Sequence, residues 1–266
     1  MTKIGIIFKA MIATLIFFPT RDYTALPEHY GLKSEEVRVT TEDGVKLIGW
    51  FLPAEPVSAG VVYLLHGNAG NISDRLFKAA EWVRRGFSVF LLDYRSYGKS
   101  EGKITSERDL VLDAEAGIRW LREVKKVENA KLILYGESIG CAPVIELARK
   151  TPFRALILEA PFTSLPEVCK VHYPFIPTAI LGAFQLRNLD KISEIKSPVF
   201  VIHGEDDEIC PFSMGEMIFE KAPEPKEFFR IPHGHHNDLP DAGGPSFYDK
   251  PVQFISKLTS REANPS

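Results

Sequence analysis

The chain reads as an α/β protein: a mostly parallel sheet of about eight strands, entered through an antiparallel N-terminal hairpin, with helices on both faces and a short inserted cap. Three observations predict this. Uninterrupted apolar runs such as "GVVYLLH", "FSVFLLD" and "KLILYG" have the character of strands buried on both faces. Each is followed by residues at helical spacing, and strand–helix alternation implies right-handed crossovers between parallel neighbours. Ahead of them, "EEVRVTTEDGVKLIGWFLP" alternates apolar and polar residues on either side of Asp43-Gly44, a pair that favours a hairpin turn.

The elements follow in order. After "GVVYLLH" come the loop "GNAGN" and the helix "SDRLFKAAEWVRRG", with Ser73 expected as N-cap and Gly86 as the stop. The strand "FSVFLLD" leads to the amphipathic helix "SERDLVLDAEAGIRWLREV", where Ser106 and Asp109 are spaced as a capping box. "KLILYG" runs into a helix from Ser138 to Lys150, whose Pro143 falls in the first turn, where a missing N–H does no harm. "RALILEAP", "SPVFVIHG" and "KEFFRIP" complete the strands, with helices expected over Phe212 to Lys221 and Phe247 to Leu258. Between Pro161 and Lys191 the pattern lapses into a proline- and aromatic-rich stretch, too long for an ordinary connection, which reads as the inserted cap, residues 161–191. Trp50, Trp82 and Trp120 are expected in the core.

With 266 residues, 45% of them hydrophobic and 25% charged, the chain can bury one large core, and residues 21–266 are expected to form one catalytic-size domain. The net charge of -3 supplies no basic field, which excludes nucleic acid as a partner. Cys141, Cys169 and Cys210 have no metal-ligand spacing and read as free thiols. Residues 1–20 form a hydrophobic N-terminal anchor or arm: from Ile4 to Phe18 only Lys9 and Thr14 break the apolar run, and no polar stripe is left for solvent. "FFPTRDY" follows instead of a small-residue cleavage site. The expectation is membrane association through residues 4–18, with the side of the membrane open. An arm packed on a cytoplasmic domain is the alternative.

The chemistry centres on "LILYGESIGCAPV", where Ser138 lies between two glycines at a strand-to-helix junction. A serine hydroxyl becomes a nucleophile only when an imidazole removes its proton and a carboxylate fixes that imidazole. Strand, sharp turn and helix are what the nucleophile elbow demands. The carboxylate is sought after a later strand, in Glu205-Asp206-Asp207-Glu208, with Asp207 preferred and Asp206 second. The base is one of His233, His235 and His236; no metalloprotease spacing accompanies them, and neither metal nor cofactor is expected. In "LLHGNAGN", the Asn68 N–H can join that of Ile139 in a two-donor oxyanion hole, while His66 braces the loop. Asp93, Tyr94 and Arg95 are expected to brace the neighbouring loop, and Asp113 to be either a buried anchor or an exposed helix residue.

Together "FFPTRD", "EDGVKLIGWFLPA", "LLHGNAGN", "LDYRSYGKSEG", "GESIG", "HGEDDEICP" and "GHHNDL" resemble the α/β-hydrolases, in particular the bud-emergence-type, membrane-associated branch near the α/β-hydrolase-domain proteins. The resemblance runs from about Phe17 onward. It implies an α/β-hydrolase fold and a triad of Ser138, Asp207 and His236. The function expected is hydrolysis of carboxylic ester or thioester bonds in small or acyl-chain substrates, with Tyr173, Phe175, Ile176, Ile180, Leu181 and Phe184 of the cap lining an apolar slot or sealing the cap onto the core. A peptidase of the same fold and a non-enzymatic membrane-associated scaffold are the alternatives.

Overall fold

A computed structural model of the chain describes residues 12–263. Among them, β1 (Glu35–Thr40), β2 (Lys46–Leu52), β3 (Val61–Leu65), β4 (Ser88–Leu92), β5 (Leu132–Glu137), β6 (Ala155–Glu159), β7 (Val199–Gly204) and β8 (Lys226–Ile231) form one sheet in the order β8-β7-β6-β5-β3-β4-β2-β1. β2 runs antiparallel to β1 and β4, and all other neighbours are parallel. This is the fold class the strand pattern predicts. Six main helices cover it: α1 (Leu76–Arg84), α2 (Glu107–Glu123), α3 (Cys141–Lys150), α4 (Leu165–His172), α5 (Phe212–Lys221) and α6 (Ser246–Ala263).

Strand alternation sorts the core into two layers. On β3, Tyr63 and Leu65 join the layer beneath α2 and α3, while Val62 and Leu64 join the layer beneath α1 and α6. Such strands must be apolar on both sides, and every residue of β3 is buried. Trp50 and Trp82 are buried as expected, and Trp120 is half-buried, stacked on Phe90 at 5.0 Å.

The expected start of α2 is present: the Ser106 N–H donates to Asp109 Oδ2 at 3.0 Å. The start of α1 differs. A 3-10 turn, Ile72–Arg75, precedes it, and the cap is Asn71 rather than Ser73, whose N–H and hydroxyl both donate to Asn71 Oδ1 at 2.9 and 2.6 Å. Asn71 also uses its amide donors on Thr20 and Asp22, so one side chain caps the turn and ties down the N-terminal segment.

That segment is built into the domain from residue 12. Ile12, Ala13, Ile16 and Phe17 are buried in the layer beneath α2 and α3, and Phe18-Pro19 forms a short parallel ladder with Ala69-Gly70. Of the stretch expected to associate with a membrane, residues 4–11 lie outside the described residues. Among the described residues no helix is long and apolar enough to cross a membrane.

Two buried acids brace the loops after β4. Asp113 is fully buried and accepts from the Arg95 N–H and Nε–H at 2.8 and 2.9 Å, while the same guanidinium forks onto Asp43 in the hairpin turn. Asp93 accepts from the Ile72 N–H at 2.9 Å and the Tyr23 hydroxyl at 3.1 Å, and burial lifts its carboxyl to about 7. A carboxyl raised on folding binds more protons in the native state, so its contribution is complete below about pH 4 and is lost as pH rises towards 7. Between pH 5 and 8 the stability of Asp93→Asn relative to wild type should therefore improve by about 2–3 kcal/mol. Urea unfolding of both proteins across that range checks it; a constant difference would refute the assignment.

Candidate active site

β5 ends at Glu137, and the backbone turns at Ser138 with φ +51° before entering the 3-10 turn Ser138–Gly140 and α3. The flanking glycines are required by contact. A Cβ on Gly136 would stand 2.6 Å from Cys141 Cα, and one on Gly140 would stand 2.1 Å from the Leu65 carbonyl oxygen. Both obstacles are backbone, so no rotamer relieves them. Ser138 is thus lifted above the sheet edge at the carboxyl ends of the strands.

His236 reaches it from the loop after β8. Its Nε2 lies 3.0 Å from Ser138 Oγ, and its Nδ1 lies 2.8 Å from Asp207 Oδ2 in the loop after β7. Asp207 Oδ1 accepts from the Ile209 and Cys210 N–H groups at 2.9 and 2.7 Å. A further partner is His203, whose Nε2 is 2.8 Å from the Cys210 carbonyl and 3.2 Å from Asp207 Oδ2. Facing two oxygen acceptors, that nitrogen carries the proton. Burial opposes ionisation of Asp207, but the donors from His203, His236 and the Cys210 N–H outweigh it and hold the carboxyl well below the usual range. Burial likewise opposes charge on His236, and Asp207 outweighs it, so the imidazole pKa is raised.

The three histidines divide the acidic turn among themselves. His233 Nδ1 pairs with Asp206 and His235 Nδ1 with Glu208, each at 3.2 Å and on the exposed surface, while His236 alone turns inward to Asp207. Asp206 and His235 are therefore not brought to Ser138. His66 is fully buried, its Nδ1–H donates to the Gly67 carbonyl at 2.8 Å, and burial pushes its pKa down to about 3, in keeping with a bracing role. Among the described residues no three His, Cys, Asp or Glu gather as a metal site.

Beneath the serine turn lies an ionic cluster that the motif reading did not foresee. Register sets Glu137 beside Glu159, and Lys78 from α1 donates to both at 2.8 Å. Arg75 donates to Glu137 at 2.6 Å, and the Tyr135 hydroxyl to Glu159 at 2.6 Å. Burial alone would keep Glu137 protonated; Arg75 and Lys78 overcome it and hold the carboxyl well below the ordinary range. Glu137, the residue before Ser138, is thereby tied to α1 through Lys78 and to the turn before it through Arg75.

Ser138, Ile139 and Asn68 line a cleft of about 330 Å³. Its walls are Leu165, Val168 and Tyr173 on the cap side, Ile209 and Cys210 from the acidic turn, and Leu15, Ile16 and Phe18 from the N-terminal segment. Of the six cap residues expected there, only Tyr173 lines it. Phe175, Ile176 and Ile180 are exposed, and Leu181 and Phe184 are buried in the core, where Phe184 meets Phe17 edge-on at 5.5 Å. Besides Tyr173 and Phe162, the cap residues that line it, Leu165, Val168, Cys169 and His172, occupy one stripe of α4 at helical spacing. That period in "LPEVCKVH" was the signal available in the sequence.

A mostly parallel sheet with an antiparallel lead-in, and a serine at positive φ meeting a histidine and an aspartate from later loops, define an α/β-hydrolase. Residues 56–189 match the family model described as serine aminopeptidase, S33. The chain belongs to that family, within the α/β-hydrolase superfamily. It is 36% identical over 244 residues to an uncharacterized protein of Mycobacterium tuberculosis, covering 91% of this chain and 86% of that protein. Alpha/beta hydrolase domain-containing protein 17B of Homo sapiens is 34% identical over 219 residues, 82% of this chain and 73% of that one. Among solved structures, a Pyrococcus furiosus esterase superposes with a TM-score of 0.75 at 20% identity, covering 92% of this chain and 98% of the esterase.

The ionic cluster generates a prediction. Lys78→Met should leave two buried carboxylates short of a partner and cost about 3–5 kcal/mol in urea unfolding. Adding Glu159→Gln removes one of the two orphaned charges and should restore part of that loss; no restoration would show that Lys78 acts by packing alone.

Proposed function

We propose that the protein is a serine hydrolase that cleaves carboxylic ester or thioester bonds of small or acyl-chain substrates. The observation that carries this reading is the continuous hydrogen-bonded line Ser138–His236–Asp207 on the floor of an apolar cleft. In this reading His236 takes the Ser138 proton as Oγ attacks the acyl carbonyl, and Asp207 holds the imidazolium that forms. The Asn68 and Ile139 N–H groups stabilise the oxyanion. Collapse expels an alcohol or thiol, which receives the proton from His236, and leaves an acyl-serine. Water, deprotonated by His236, then attacks the acyl carbon and releases the acid. The sequence of steps needs no metal or cofactor.

The family description favours a second reading, a peptidase, since the same groups cleave amides. Against it, the described residues lining the cleft include no Asp or Glu to receive a substrate amine.

A fluorophosphonate should label Ser138, read by mass spectrometry of the modified peptide, and the label should vanish in Ser138→Ala and His236→Ala. Absence of labelling in folded wild type would overturn the hydrolase reading and favour a scaffold. The pH profile supplies a further check. Because the His236 pKa is raised, the base is lost on acidification through a midpoint above about 6.5. Asp207→Asn should move the acid limb of kcat/KM to lower pH and depress its plateau by about 10³–10⁴-fold. An unmoved limb would show that Asp207 does not act on His236.

A further inference from the structure

The N-terminal segment touches the cleft in two independent ways. Its backbone holds the loop after β3: the Asn68 Nδ2–H donates to the Ile16 carbonyl at 3.0 Å, and the Phe18 N–H donates to the Asn68 carbonyl at 2.8 Å. The Tyr97 hydroxyl shares that carbonyl at 2.6 Å, so the Asn68 peptide is gripped from both sides. The grip continues through Thr20, whose N–H donates to the Gly70 carbonyl at 3.1 Å. Its side chains, meanwhile, form a wall. Leu15 and Phe18 are 68% and 53% exposed, yet both line the cleft that holds Ser138.

Exposure of this kind has a physical reading. Their neighbours Ile12, Ala13, Ile16 and Phe17 are buried and anchor the segment in the core. Leu15 and Phe18 add nothing comparable to that core. What they offer is apolar surface beside Ser138, in the same cleft as Leu165, Val168 and Tyr173. An apolar acyl chain lying in that cleft would cover both groups.

We propose that residues 15–18 are a working part of the catalytic site: their backbone positions Asn68 for the oxyanion, and Leu15 and Phe18 select apolar acyl chains. This rests on the hydrolase reading and deepens it by assigning the acyl specificity to a segment outside the cap. Asn68 acts here through the placement of its peptide, and Leu15 and Phe18 through contact with the substrate chain.

The test compares p-nitrophenyl acetate with p-nitrophenyl octanoate, with thermal unfolding to confirm that each variant is folded. In Leu15→Ala/Phe18→Ala the octanoate-to-acetate ratio of kcat/KM should fall at least about ten-fold, since the octanoyl chain loses apolar contacts that the acetyl group does not reach. Asn68→Ala, which removes the bond to the Ile16 carbonyl, should lower kcat for the acetate about ten-fold with little change in KM, the mark of a group that acts in the transition state. A ratio that stays within about two-fold of wild type overturns the specificity role, and an unchanged kcat overturns the positioning role. Wild type that hydrolyses neither ester and takes no fluorophosphonate overturns the hydrolase reading, and this proposal with it.

Discussion

The site depends on one constraint, the left-handed backbone of Ser138. A non-glycine residue held there costs about 1–3 kcal/mol and persists only where its surroundings over-determine it. Here they do. Gly140 lies against the Leu65 carbonyl and Gly136 against the first residue of α3, so strand and helix can meet at a separation that admits no other side chain. Below, Glu137 and Glu159 stand side by side in register, an arrangement tolerable only because Lys78 and Arg75 supply the opposite charge. A buried ionic cluster is a weak source of net stability. Its effect is to fix where Glu137 sits, and with it the next residue along the chain.

Asp207 and His236 face a different problem, since both come from loops. Asp207 is fixed by two N–H groups of its own turn and by His203, and only then presents its second oxygen to His236. Burial separates the acid and histidine that reach Ser138 from their neighbours in the same loops. The Asp207 side chain is 0% exposed and that of His236 8%, whereas His233, three residues earlier, is 92% exposed and pairs with Asp206 in solvent. The same residue types a few positions apart meet different dielectrics; in the buried pair the Asp207 carboxyl is held well below its usual range and the His236 imidazole is raised by that carboxylate.

What could be read from the sequence follows from how local each signal is. The strands, the serine turn, and the aspartate and histidine after later strands were legible because each lies within a few residues of a strand end. The ionic cluster was not, because Arg75–Glu137 and Lys78–Glu159 join residues 62 and 81 positions apart. His203 escaped notice because it sits inside a strand, where its residue type gives no hint of the turn it will face. The cap residues were chosen for their apolarity in a proline-rich stretch, and the helical period of α4 just before it was the better guide. Of the apolar run at residues 4–18 that suggested lipid, Ile12, Ala13, Ile16 and Phe17 are buried, and the surface that receives them is assembled from elements far along the chain.

The distribution of charge around Ser138 bears on what the cleft can accept. Asp206 and Glu208 are paired with His233 and His235, Asp207 is engaged with His203 and His236, and Glu137 is held by Arg75 and Lys78. Among the described residues no carboxylate lines the cleft. A substrate bearing an amine beside the scissile bond would bring a cation into this apolar space, where it must keep its water or strip a partner from an existing pair. Taking Glu137 from its buried pairs with Arg75 and Lys78 costs about 3–5 kcal/mol, engaging Asp207 would compete with His236, and the solvent-exposed Asp206 and Glu208 do not line the cleft. An acyl chain makes no such demand, since apolar walls are all it needs. Under the hydrolase reading proposed above, the apolar walls around Ser138 suit a neutral acyl group better than a substrate that carries an amine.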